Sequence, residues 1–208
     1  SHRIRTNLEV TLMSNPDIDQ YKKSFEDALV EIDNLIKTFN SILSISKVES
    51  GTSDLDRNLV SLKELILNMH ELYEPIADSD GIKLNYEVNE DIVINGNYNL
   101  LSQALANLIE NAINYGCSNN KPSINVGAKK NENLLSIWVS DNGIGIKETD
   151  KDKVIERFVR LDASRSLKGS GLGLSLVNSA VKFHEGSLKL INAKPSGLIV
   201  LIEIPIDS

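Results

Sequence analysis

The chain has 208 residues, of which 41% are hydrophobic and 25% charged, the balance of a folded globular protein. Its formal net charge of -7 argues against non-specific binding to nucleic acid, and its single cysteine, Cys117, excludes an internal disulfide and fits a reducing compartment. No apolar run reaches the length of a membrane span and no signal peptide is evident. The chain opens abruptly inside a helical pattern, so it reads as a cytoplasmic fragment that meets a membrane only through a longer parent chain, one that an inner-membrane anchor would suit.

Residues 3–14 read as a short helix with Ile4, Leu8 and Leu12 on one side, and Asn15-Pro16-Asp17 as a turn. A long helix is expected from near Ile18. Tyr21, Phe25, Ala28, Ile32, Leu35, Phe39 and Ile42 alternate spacings of four and three, an a/d seam over about three heptads that Leu29, Ile36 and Leu43 widen. So wide a seam needs more cover than one short helix gives. An antiparallel hairpin that forms a homodimeric four-helix bundle supplies it; a hairpin packed only on its own domain is the alternative. Ser50-Gly51-Thr52-Ser53 ends the helix and divides the chain into a helical hairpin, 1–52, and a second domain, 53–208.

In the second domain Asn58–Val60 reads as a short strand and Leu62–Ala77 as a helix, with Leu62, Leu65, Ile66, Met69, Leu72 and Tyr73 inward. Asp78-Ser79-Asp80-Gly81 is a turn, and Ile82–Val88 and Asp91–Ile94 are strands. A helix over Leu100–Tyr115 is followed by strands Ser123–Ala128 and Leu134–Ser140, a helix Gly173–His184, and strands Ser187–Ile191 and Leu198–Ile204. The mixture predicts an α+β class: an α/β sandwich built on one mixed sheet with helices on one face.

The helix Leu100–Tyr115 carries chemistry as well as an apolar stripe of Leu101, Leu105, Leu108, Ile109 and Ala112. Asn107 and Asn111 lie four apart and share a face, with Glu110 and Asn114 beside them. Amide and carboxylate oxygens suit a magnesium ion that already carries phosphate oxygens and water. A capped surface helix with scattered Asn is the plain alternative. Ser140-Asp141-Asn142-Gly143-Ile144-Gly145 follows a strand; its glycines permit a tight turn, and Asp141 can accept a hydrogen bond from an exocyclic amine such as adenine presents. A hairpin turn explains the same residues. Gly169-Ser170-Gly171-Leu172-Gly173-Leu174 opens a helix, so its backbone N–H groups make an anion site. It is neither a dinucleotide fingerprint nor a Walker loop, because no ribose-binding acid in a βαβ unit and no Gly-Lys-Ser/Thr are present. Between the two glycine clusters, Ile146–Lys168 is long and polar, as functional lids are. Its Arg157, Arg160, Arg165 and Lys168 could reach triphosphate oxygens, or form a solvated charge run.

Taken in order, the Asn-rich helix, Asp141-Asn142-Gly143-Ile144-Gly145, Glu156-Arg157-Phe158-Val159-Arg160 and the Gly169–Gly173 cluster resemble the N, G1, F and G2 boxes of the sensor histidine kinases. These belong to an ATPase superfamily that also holds DNA gyrase. The resemblance covers essentially all of 53–208, and 3–51 resembles the family's dimerisation module. It implies that Asn107 and Asn111 hold Mg2+ and phosphate, that Asp141 reads the adenine amine, and that Gly143 and Gly145 let the backbone approach the base. Gly169, Gly171, Leu172 and Gly173 would cradle the phosphates, with Arg165 and Lys168 supporting them, and Tyr115 would stack near adenine or ribose. Glu110 stands where many relatives carry an acid that polarises the attacking group. The implied activity is transfer of the γ-phosphoryl group from ATP to a hairpin histidine, and thence to the receiver domain of a response regulator.

Three residues depart from the family pattern. Asn114 replaces the usual Lys, which removes a cationic phosphate contact. Arg3 stands where an acid normally orients the phosphoacceptor in the Ser1-His2-Arg3-Ile4-Arg5-Thr6-Asn7 stretch, and Asn7 replaces a Pro. The second hairpin helix is roughly 30 residues, about 45 Å, and the first is about a third of that. The better alignment sets Arg3–Val10 just downstream of the family's His box and makes Ser1-His2 a cloning remnant; His2 is the phosphoacceptor only if it is native. A nucleotide-binding dimeric scaffold without turnover is the alternative these departures leave. An ATPase acting on DNA or client proteins fits the acidic balance and the hairpin poorly. His70 and His184 read as structural, the latter near a helix C-terminus that Gly186 caps.

Overall fold

The computed structural model describes residues 2–13, 17–51, 56–88, 91–116, 121–161 and 170–206. The chain divides into two compact units, Ser1–Ile42 and Leu43–Ser208. The first holds helix α1 (His2–Met13) and most of helix α2 (Ile18–Glu49). Asp17 caps α2 by accepting the Gln20 N–H at 2.8 Å. Thr11 Oγ1 and Ser24 Oγ lie 2.9 Å apart, and Ser24 and Ala28 are the buried residues among those described in this unit. A helix turns one stripe toward a neighbour, and here that stripe carries small side chains. The large residues of the predicted seam stay outside: Phe25 is 60%, Leu29 61% and Phe39 60% exposed, with Ile32, Leu35 and Ile36 beside them.

The second unit contains the last turns of α2 and then β1 (Asn58–Ser61), α3 (Leu62–Ser79), β2 (Lys83–Glu87), β3 (Val93–Gly96), α4 (Tyr98–Tyr115), β4 (Ser123–Asn131) and β5 (Leu134–Asp141). A 3₁₀ turn (Glu148–Asp150), α5 (Lys151–Val154), α6 (Gly173–Phe183), β6 (Ser187–Asn192) and β7 (Leu198–Pro205) follow. Five strands form one mixed sheet in the order β2-β4-β5-β7-β6; β2 and β4 run parallel and the other neighbours antiparallel. Strands β1 and β3 pair separately, antiparallel, with Asn58 opposite Gly96. The predicted α/β sandwich is therefore present, with β3 joined to β1 rather than to the main sheet.

Alternation along the strands decides which face is covered. Ile124, Val126 and Ala128 of β4, Leu135, Ile137 and Val139 of β5, and Val200, Ile202 and Ile204 of β7 are all buried on one face. Against them pack Leu62, Leu65, Ile66, Met69, Tyr73 and Ala77 of α3, Leu101, Leu105, Leu108, Ile109 and Ala112 of α4, and Val177, Ala180 and Val181 of α6, in one contiguous cluster. Their three- and four-residue spacings put each set on a single helix stripe. Each fully buried aliphatic contributes about 1.5–3 kcal/mol relative to exposure, so this stripe fixes how each helix is rotated and hence where its polar face points.

Side chains set the helix starts. Ser61 Oγ accepts the Glu64 N–H at 3.3 Å to begin α3, and Asn97 Oδ1 accepts the Leu100 N–H at 2.9 Å to begin α4. Among the described residues no helix is long and apolar enough to cross a membrane.

Candidate functional site

With the apolar stripe of α4 turned to the sheet, Asn107 and Asn111 emerge toward the start of α6. Asn107 Nδ2 donates to the Gln103 carbonyl one turn back, at 2.7 Å, which orients its Oδ1 away from its own helix. A Cβ on Gly173, the first residue of α6, would lie 3.1 Å from Asn107 Oδ1 and 3.4 Å from Asn111 Nδ2. The two amides and the second glycine turn thus line one space, and any side chain at 173 would intrude on it. Leu172, just before Gly173, is 1% exposed and packs with Leu176 and with Ile45 from the end of α2. That apolar anchor seats the turn.

Gly171 has φ +72, and a Cβ there would come within 2.9 Å of the Phe158 carbonyl carbon. The Phe158 N–H donates to Gly171 O at 2.9 Å. The backbone of the Glu156–Arg160 stretch is therefore docked on the second glycine turn. Phe158 itself has φ +62 with an exposed ring, an uncommon conformation for a bulky residue.

The other end of the site is the turn after β5. Asp141 Oδ1 accepts the Gly143 N–H at 2.9 Å and the Leu198 N–H at 3.2 Å; among the described residues both of these bonds go to the same oxygen. Burial raises the Asp141 carboxyl above its ordinary value, and the two N–H groups oppose that shift. A Cβ on Gly143 would lie 2.2 Å from Gly116 O, and one on Gly116 would lie 2.5 Å from Asp141 Cγ. The turn is pressed against the end of α4, beside Tyr115. On its other side Gly145, with φ +69, abuts Gly197 O and Asn192 Oδ1, and a Cβ on Gly197 would lie 2.0 Å from Asp141 O. Asn142 ties the turn to the start of β4: its Oδ1 accepts the Ser123 N–H at 3.0 Å and its Nδ2 donates to Lys121 O at 2.9 Å.

Glu110 points to α3, where its Oε1 accepts the Tyr73 hydroxyl at 2.9 Å. Burial raises the Tyr73 phenol above its ordinary value, and the neighbouring Glu110 charge adds to the shift. Asn114 is exposed and donates to Glu110 O at 2.7 Å. Arg157 is ion-paired with Glu49 at the end of α2, and Arg160 is half-buried. Arg165, Lys168 and Gly169 lie outside the described residues, as does the side chain of His2, which opens α1.

The structure thus brings Asn107, Asn111, Gly171, Leu172 and Gly173 together along the second half of α4, and Asp141, Gly143 and Gly145 against its C-terminal end, next to Tyr115. Gly116, Asn192 and Gly197 were missed by sequence reasoning. A Gly after a helix reads as a cap and an Asn before a turn reads as a turn residue, so neither advertises its contact with Asp141 or Gly145. Among the described residues no group of three or more His, Cys, Asp or Glu side chains could hold a metal. The donor set of α4 is two amides, which is a partial set, suited to a hard cation whose other ligands are phosphate oxygens and water.

Residues 96–208, the span from the start of α4 through both glycine turns to β7, match the family described as histidine kinase-, DNA gyrase B-, and HSP90-like ATPase. Sensor-like histidine kinase SenX3 of Mycolicibacterium smegmatis is 28% identical over 214 residues, covering 99% of this chain and 55% of SenX3. The catalytic domain of histidine kinase ThkA superposes with a TM-score of 0.65 at 26% identity, over 72% of this chain and 95% of that one. ThkA in complex with the response regulator protein TrrA superposes with a TM-score of 0.71 over 99% of this chain and 59% of that one; at 22% identity this is a likeness of fold. The chain spans about half the length of SenX3 and about a quarter of several other curated relatives.

Proposed function

Because the chain belongs to the histidine kinase-, DNA gyrase B-, and HSP90-like ATPase family, as a sensor histidine kinase catalytic domain, we propose that it binds ATP with Mg2+ along α4. Adenine lies at the Asp141–Gly145 turn and the phosphates at Gly169–Gly173. The observation that carries this reading is the approach of Gly173 to Asn107 and Asn111. A cradle in which an added methyl group would crowd both amides joins them to the backbone N–H groups at a helix start, the two kinds of group that a metal-bound triphosphate needs.

In this reading Asp141 accepts the adenine amine through Oδ2, since Oδ1 is already held by Gly143 and Leu198. Gly143 and Gly145 admit the base, and Tyr115 stacks near the base or ribose. Asn107 and Asn111 hold the metal and the phosphates; when bound, Mg2+ neutralises charge on the triphosphate. Leu172 keeps the phosphate turn seated, and Arg165 and Lys168 add cationic contacts. Glu110 takes the polarising role only by exchanging its bond with the Tyr73 hydroxyl for one with the attacking imidazole. The γ-phosphoryl group leaves ADP as a new N–P bond forms on a hairpin histidine, and then passes to an aspartate of a response regulator. Positioning and charge stabilisation carry most of such a transfer.

The hairpin, 1–52, acts as the homodimerisation module and 53–208 as the catalytic domain. The unpaired stripe Phe25, Leu29, Ile32, Leu35, Ile36 and Phe39 supports this, because a second copy of the same stripe would close a four-helix bundle. The test is calorimetric titration with ADP and a non-hydrolysable ATP analogue, in magnesium and in EDTA. Binding that tightens with magnesium supports the reading, and no binding in either buffer overturns it. Label from γ-labelled ATP reaching a receiver domain, measured with a chain extended N-terminally to include the family's His box, then separates a kinase from a nucleotide-binding scaffold.

A further inference from the structure

We infer that Asn192, at the end of β6, is the positioning residue that gives this site its preference for a purine bearing a 6-amino group; this rests on the reading of Asp141 as the adenine acceptor. The carboxylamide of Asn192 makes two hydrogen bonds to one residue of the turn after β5. Its Oδ1 accepts the Ile146 N–H at 3.1 Å and its Nδ2 donates to Ile146 O at 2.8 Å. Both polar groups of that peptide position are thereby fixed, so neither a shift nor a rotation of the turn's exit is open to it.

The entry of the turn is fixed independently. Asp141 still pairs with Ile124 in the sheet. Between these two clamps sits Gly143, one of the two donors to Asp141 Oδ1. The second donor, Leu198, starts β7 on the far side of the β6–β7 turn that Asn192 opens. That turn closes on itself through the Ala193 N–H to Gly197 O bond at 2.9 Å. Gly197 packs on Asp141 O, where no side chain fits. Asn192 therefore ties the segment carrying one donor to the segment carrying the other through two bonds, and the Ser196 hydroxyl adds a longer one, to Asn142 O at 3.4 Å. The β5–β7 ladder holds Leu198 in register up to Ser140 opposite Ile199; released from Asn192, the exit of the turn loosens, the Gly143 N–H shifts against Leu198, and Oδ2 is no longer aimed at a fixed place. A hydrogen bond to a charged group discriminates only when its geometry is imposed beforehand.

The experiment compares ATP with purine riboside triphosphate, which lacks the 6-amino group, on wild type and Asn192→Ala, with circular dichroism and thermal unfolding as folding controls. Wild type is expected to prefer ATP by about tenfold or more, the worth of one hydrogen bond to a charged acceptor. In Asn192→Ala the preference should fall to within about twofold of unity, while the affinity for the amine-free analogue changes little. A purely structural role for Asn192 would weaken both nucleotides alike and leave their ratio intact, and that result overturns the inference. Should Asn192→Ala fail to fold, Asn192→Asp keeps the acceptor for the Ile146 N–H and removes the donor; an unchanged ratio there also overturns it. If wild type itself shows no preference for ATP, the assignment of Asp141 fails instead, so the two failures are distinguishable.

Discussion

His184 Nε2 accepts the backbone N–H of Asn97 at 2.9 Å, which ties the end of α6 to the start of α4 inside the protein. The other ring nitrogen donates to Ala180 O at 2.7 Å, so the neutral tautomer with hydrogen on Nδ1 is the one this geometry uses. His184 is 3% exposed. Burial holds its pKa below the ordinary value, and the neighbouring Arg57 pushes the same way, against the bond to Ala180. The ordinary histidine value is about 6.5. Because the folded value is depressed, the stability from neutral His184 is fully present above about pH 6.5 and is lost as pH falls toward the folded value. Urea unfolding at pH 7.5 and 5.5 checks this: wild type should weaken at the lower pH, and His184→Gln, which cannot take up a charge there, should weaken less. Parallel losses would exclude His184 as the group. His184→Ala is expected to cost about 2–4 kcal/mol, through the cavity and the orphaned Asn97 N–H.

Asp141 behaves in the opposite sense. Its folded pKa is raised by burial, so its ionised form opposes folding at neutral pH, and any advantage it gives is lost as pH rises through the folded value. Asp141→Asn keeps an acceptor for Gly143 and Leu198 and removes the buried charge. The unfolding midpoint at pH 7.5 should equal or exceed that of wild type, while ATP binding is lost. A lower midpoint would mean that the carboxylate is needed for the fold rather than for the ligand.

The amide face of α4 predicts a metal-specific defect. Asn111→Ala removes one proposed ligand from a helix whose buried stripe is untouched, so the fold should persist. Titration should show most of the magnesium-dependent gain in ATP affinity gone, with binding of ADP in EDTA little changed. Equal losses in both buffers would place Asn111 outside the metal's reach.

The exposed stripe of α2 predicts an assembly defect. Leu35→Glu introduces a charge into the centre of the proposed four-helix seam, where burying it unpaired costs several kcal/mol. Sedimentation should shift from dimer to monomer while the nucleotide affinity of the catalytic domain is kept. A monomeric wild type, or an unaffected dimer in the variant, would remove the bundle from the account.

Much of the fold was legible because burial here is periodic. The alternation in β4, β5 and β7 and the three-four spacing in α3 and α4 each require one covered face, and the structure covers it. Strands β4 and β5 run a little further than their apolar alternation, since Lys129, Lys130 and Asn131 continue the hydrogen-bond ladder with no apolar signal. The separate pairing of β3 with β1 could not be read, because four-residue strands carry no register information. In the site, the Asn pair and the two glycine turns were visible as motifs. The meeting of the Asn pair with the second turn at Gly173, and the clamping of the Asp141 turn by Gly116, Asn192 and Gly197, depend on contacts across tens of residues that no local pattern records. Arg157 illustrates the same limit: its charge read as a phosphate ligand, and its partner in the fold is Glu49, which lies 108 residues away.

A crystal structure of the chain with magnesium and a non-hydrolysable ATP analogue is the most direct test of the shared pocket. The adenine amine should lie within hydrogen-bond distance of Asp141, with the metal and triphosphate between Asn107, Asn111 and the backbone of Gly171–Gly173. A nucleotide bound elsewhere, or one whose base turns away from Asp141 while its phosphates avoid the α4 amides, would contradict the account.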